Sequence, residues 1–251
     1  MSYLNPSALI PDSLRPPTLP WAASPSPVFE DRGQSEVWVD SLKDYLGRVT
    51  DDLMAELPAA QQLSSAERRG MIARYTAVLE GNFIYWMTGT YLASKSEVTR
   101  EILLENLHEE VRDSHPEMLR RFASAAHAVP DDADAQAVHA HLSKVRLFIG
   151  RLSAVPSLAM MAFFEGLIQK FMPYLADLAA RQGSAEMEYT DVHGTCDIVH
   201  SQELFRALAA EMALSDSPVS ARSLFEGVFL LRELLQAIVF PSGGDGLGKS
   251  V

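Results

Sequence analysis

Cysteine is almost absent. The 251 residues hold one, Cys196, which excludes an intramolecular disulfide framework and a cysteine-rich zinc site. Basic residues are few as well. Twenty-one Lys and Arg against 33 Asp and Glu leave a formal charge of −12, and the basic residues are scattered without interleaved aromatics. A nucleic-acid backbone is therefore not the expected partner. Nowhere do the roughly 18 uninterrupted apolar residues of a membrane span occur. The longest apolar stretch, LSAVPSLAMMAFF at 152–164, carries Pro156 and two serines. The N-terminus, MSYLNPSALIPDS, lacks the charged and apolar regions of a signal peptide. These absences set the expectation of a cytoplasmic protein with no membrane contact.

Strand signals are missing too: no alternating pair of apolar runs is joined by a hairpin turn. Helical periodicity fills the middle of the chain instead. SEVWVDSLKDYLGRVTDDLMAEL places Val37, Val39, Leu42, Leu46, Val49 and Leu53 near one face. A capping box, Ser64 followed by Glu67, opens a helix expected to run on to about Ala93. Ser96 or Thr99 caps the next, and Pro116 suits the first turn of a continuing or restarted helix. The segment 156–183 is long and apolar, with Pro173 as a kink and Gly183 closing it. The composition, 47% hydrophobic with a mean hydropathy of 0.00, suits one well-buried core. The expected architecture is all-α: a single-domain seven-helix bundle over residues 31–241, after a Pro-rich arm at 1–30 and before a flexible tail at 242–251.

The informative residues are acids and histidines inside apolar helices. HGTCDIVHSQEL, at 193–204, spaces His193, Asp197 and His200 four and three residues apart, which places all three on one narrow stripe of a helix. Glu80 is the only acid between Glu67 and Glu97, and Glu165 stands alone in LAMMAFFEGLIQKF. ENLHEEVRDSHPEML offers Glu105, His108, Glu109, Glu110 and His115. Each has a plainer reading: a glutamate that reaches solvent or an arginine, a solvated charged face, a satisfied core histidine. Four exceptions on four helices outweigh any single one, because a buried ionised group is costly unless paired or metal-bound. Mixed carboxylate and imidazole ligation suits iron or manganese better than zinc, calcium or magnesium, and helical bundles build such sites from facing helices.

The isolated Glu80, then ENLHEEVRDSHPEMLRRF, FFEGLIQKF and YTDVHGTCDIVHSQEL together resemble the haem-oxygenase-like diiron oxidase superfamily over residues 80–200. The resemblance implies Glu80, Glu109, His115, Glu165, His193, Asp197 and His200 as ligands of two iron ions cycling between Fe(II) and Fe(III), with O2 as co-substrate. Glu105, paired with His108, and Glu110 rival Glu109 for the second-helix position. No catalytic residue is expected beyond the metal ligands. Phe83, Met87, Met161 and Ile168, within two turns of Glu80 and Glu165, are candidates for an apolar substrate pocket. Relatives with a different chemistry fit less well. The first histidine, His108, lies too far along for a haem oxygenase's axial ligand. Cys196 sits inside the His/Asp motif rather than where a thiaminase-type nucleophile belongs. A cofactor-free oxidase would leave the seven-residue constellation unexplained.

The implied activity is oxidation of a small carboxylic acid by desaturation, C–C cleavage or N-oxygenation, with a free amino acid or derivative favoured over a fatty acid undergoing oxidative decarboxylation. Arg112, Lys144, Arg146 and Lys170 are candidate partners for a substrate carboxylate. An external electron donor and a homodimer are compatible with this reading. A non-catalytic helical metal-binding or interaction protein is the alternative from another class.

Overall fold

The computed structural model describes residues 35–215 and 219–241, apart from the side chains of 35–38 and 195–198. The arm at 1–30 and the tail at 242–251 lie outside the described residues. Among those described there is no strand. Nine α-helices follow in order: α1 Ser35–Ala55, α2 Ser65–Leu79, α3 Asn82–Ala93, α4 Glu97–Arg112, α5 His115–Ala125, α6 Asp132–Ile149, α7 Ala154–Arg181, α8 Glu188–Ala213 and α9 Ala221–Val239. A single 3-10 turn, Ala60–Gln62, lies between α1 and α2. No helix among these residues is long and apolar enough to cross a membrane.

The all-α class holds, but with nine helices rather than seven, because two expected helices are each broken once. The first break is at Gly81, whose φ of 78° is left-handed and natural only to glycine. Asn82 secures the restart. Its buried side chain donates to the Val78 carbonyl at 2.7 Å and accepts from Arg146 Nε at 2.7 Å. The second break is at Ser114, also left-handed at φ 57°, and Pro116 then occupies the first turn of α5. The remaining boundaries follow the expected signals. Ser64 and Glu67 form the capping box of α2, Ser96 caps α4, and Gly183, at φ 87°, follows the end of α7. Helix α7 continues through Pro173 to Arg181.

Helix α7 is the axis of the molecule. From Val155 to Leu175 it buries residues on every side, including Met160, Phe163 and Phe171, as expected of a helix surrounded by others. Each such side chain contributes roughly 1.5–3 kcal/mol through burial. Helices α1, α2, α3, α8 and α9 pack around it. Helix α9 comes close because Gly227 has no side chain: a Cβ there would lie 2.6 Å from Phe148 and 2.8 Å from Met160.

Helices α4 and α8 run antiparallel, and this pairing positions the site. Three contacts fix the register. Glu211 accepts from the backbone N–H groups of Lys95 and Ser96 at 2.9 Å each, Thr99 Oγ1 donates to the Ala207 carbonyl, and His200 meets Glu109. The acids of ENLHEEV are thereby aligned with the histidines of HGTCDIVH.

Candidate metal centre

The break between α4 and α5 turns His115 back over the last turn of α4. Its Nδ1–H donates to Glu110 Oε1 at 2.7 Å, and both residues are buried. His193 of α8 completes the group: its Nε2 is 3.9 Å from the same carboxylate oxygen, and its ring packs edge-on against His115 with centroids 4.6 Å apart. The ligand atoms of Glu110, His115 and His193 all lie within 4.8 Å of one another.

The electrostatics set the two imidazoles apart. Burial pushes the His193 pKa down to about 4, and His115 and His200 add to this, against the opposing pulls of Glu110 and the Tyr189 carbonyl. For His115, burial also lowers the pKa, but the hydrogen bond and charge of Glu110, with Asp113 and Glu109, outweigh it, and the pKa is raised. His193 is thus neutral at pH 7. Its Nδ1 faces the Tyr189 carbonyl at 2.8 Å, a pure acceptor, so Nδ1 carries the proton and Nε2 carries a lone pair. That is the tautomer and orientation by which a histidine ligates a metal. Two ligand atoms about 2.1 Å from one ion are at most about 4.2 Å apart, so Nε2 and Oε1 at 3.9 Å can share a cation.

A small cavity of ≈ 30 Å³ adjoins the group and is lined by it together with Glu165. Its remaining wall is mostly apolar, including Leu79, Phe83, Ile84, Phe164 and Ile168. Two buried tyrosines, Tyr75 and Tyr189, also line it, and their hydroxyls are 2.9 Å apart.

The sequence-derived candidates distribute around this centre. His115, Glu165 and His193 share the cavity. Glu109 and His200 form a second pair beside it, with Nε2–H donating to the carboxylate at 2.7 Å. Glu110, the residue after Glu109, joins His115 and His193, so the two adjacent acids face different histidines. Glu80 lies at the C-terminal cap of α2, next to the cavity-lining Gly81, and pairs with Arg120 at 2.6 Å. Asp197 is on α8, its side chain outside the described residues, as is that of Cys196. Phe83 and Ile168 line the cavity, whereas Met87 and Met161 are buried in the core away from its wall.

Tyr75 and Tyr189 were not among the candidates. A signal for Tyr189 exists, since it lies one turn before His193 on the same stripe; Tyr75 comes from another helix and carries none. Of the proposed carboxylate partners, Lys144 pairs with Glu233, Lys170 with Asp51, Arg112 with Asp113, and Arg146 with Asn82. None of the four lines the cavity.

A buried carboxylate with two imidazoles, brought together from α4, α5 and α8 beside a further buried acid on α7, is a group that could hold a metal ion within a helical bundle. Residues 72–235, well over half of the chain, match the family of iron-containing redox enzymes of the haem-oxygenase-like superfamily, and the chain belongs to that family. It is therefore an iron-containing oxidoreductase. Comparison with curated proteins and with solved structures gives no match.

Proposed function

We propose that the protein is a non-haem diiron oxidase or oxygenase that uses O2 on a small carboxylic acid, in first place a free amino acid or derivative. The buried Glu110–His115–His193 group carries this reading. Two imidazoles and one carboxylate with open positions suit a non-haem Fe(II) centre that reacts with O2. A small cavity of ≈ 30 Å³ adjoins the group on the side where such positions would open.

In this reading Glu110, His115 and His193 hold one iron, with Glu165 turned toward the same cavity. Glu109 and His200, with Asp197, hold the second. Glu80 completes the set once it leaves Arg120. That ion pair is no obstacle, because its side chains are 36% and 53% exposed, and pairs so open to water are worth about 0–1 kcal/mol. The irons supply the binding and reduction of O2. The protein's own contributions are separate. The glutamates offset the charge of the ions, and the Tyr189 carbonyl keeps the His193 lone pair aimed inward. The Tyr75–Tyr189 hydroxyl pair can hold a proton beside the centre. The apolar wall keeps water from a reactive oxidant. That wall also favours a substrate whose body near the irons is apolar.

The test is an anaerobic Fe(II) titration of metal-free protein, followed by O2 and a panel of amino and other carboxylic acids. About two irons per chain and an acid-dependent rise in O2 consumption are expected. A single iron, or O2 consumption indifferent to every acid, would sink the diiron oxidase reading.

A further inference from the structure

A second cavity, ≈ 20 Å³, lies deeper in the bundle and shares Tyr75, Leu79, Phe164 and Ile168 with the first. Beyond those four, its wall includes Val78, Trp86, Leu167, Phe171, Leu231 and Leu235. No charged residue lines it. Phe164 stands between the two spaces, stacked on Phe83 at 5.6 Å and edge-on to Trp86 at 5.5 Å.

Trp86 brings an independent observation. It is fully buried, and its indole N–H has no acceptor among the described residues. A buried donor without a partner forfeits about 1–3 kcal/mol, and native proteins rarely leave one so without reason. The inner cavity thus combines an apolar wall with one wall residue, Trp86, whose indole donor is unmatched among the described residues, and it shares four wall residues with the cavity of the metal centre.

We propose that the inner cavity seats the far end of the substrate: an apolar chain of a few carbons that passes Phe164 and Ile168 and ends in a single hydrogen-bond acceptor met by the Trp86 N–H. This rests on the functional reading above and adds to it that the acid group of the substrate lies at the metal centre. The size of the inner cavity, enough for about one or two water-sized groups, sets the chain length. Leu231 and Leu235 of α9, which line only the inner space, set the specificity, and Trp86 selects for the terminal acceptor.

The experiment measures binding of straight-chain carboxylates of two to ten carbons to the iron-loaded protein without O2, with iron counted in each sample, and repeats the series on metal-free protein. Affinity rises by about fourfold per added methylene until the inner cavity is full, then stops rising. Leu231→Phe moves that break to shorter chains, and Leu235→Ala moves it to longer ones. Trp86→Phe weakens 5-oxohexanoate by about three- to tenfold more than it changes hexanoate. A series without a break, or a break at the same length in both leucine variants, would overturn the proposal. So would equal effects of Trp86→Phe on hexanoate and 5-oxohexanoate. Iron-free samples would instead sink the diiron reading, while the metal-free series would still report on the cavity.

Discussion

His193 holds its Nε2 lone pair 3.9 Å from Glu110 Oε1 because its other nitrogen is committed to the carbonyl of Tyr189, one turn earlier on the same helix. A lone pair facing a carboxylate is a repulsive arrangement in itself, and a shared cation turns it into an attractive one.

Removal of either partner therefore costs metal rather than fold. Glu110→Gln and His193→Ala should each lower the iron bound per chain by about one equivalent, and His200→Ala should do the same through the second pair. Far-UV circular dichroism should change little in all three. Unchanged stoichiometry by elemental analysis would remove the substituted residue from the centre.

The metal-free protein should lose stability as pH falls below neutrality. His193 has a folded pKa of about 4 against about 6.5 unfolded. Between those values the unfolded chain binds the extra proton, so folding weakens as pH drops through that window, by about 3 kcal/mol at most. His115 acts in the opposite sense. Its pKa is raised on folding, so its stabilisation is complete below about pH 6.5 and fades as pH rises through the folded value. Urea midpoints from pH 4.5 to 7.5 should fall more steeply toward acid in the wild type than in His193→Gln. A parallel pair of profiles would mean that His193 is not held neutral by burial.

Tyr189 contributes to the centre through its backbone and its hydroxyl separately. Tyr189→Phe deletes the hydroxyl paired with Tyr75 and should cost about 1 kcal/mol of stability. The carbonyl that orients His193 remains, so iron binding should survive. Loss of iron from this variant would assign the hydroxyl a direct part in the site.

Gly227 reports on the packing of α9 against the rest of the core. Gly227→Ala forces a methyl group to within 3 Å of Phe148 and Met160 and should destabilise by about 1–3 kcal/mol. The urea midpoint measures it, and no change would mean that α9 shifts freely to accommodate the methyl.

The sequence by itself determined the helical class and most helix ends, because periodicity and caps are local. Ser64 with Glu67, Ser96, Pro116 and Gly183 act on groups within a few residues of themselves. It also marked the acids and histidines that apolar surroundings make expensive, including His115, Glu165 and His193, which share one cavity wall. One break escaped a reading by periodicity: at Gly81 the pattern continues while a single residue turns left-handed. The restart after Ser114 is one of the two readings that Pro116 allowed.

What only the tertiary structure decided is which acid meets which histidine. Glu109 and Glu110 differ by one residue and about 100° of helix rotation, so composition and spacing treat them alike. The antiparallel register of α4 on α8 and the left-handed turn at Ser114 send Glu110 to His115 and His193 and Glu109 to His200. The Tyr75–Tyr189 contact and the inner cavity belong to the same category. Both join residues far apart along the chain, and a chain reveals such neighbours only when its helices have packed.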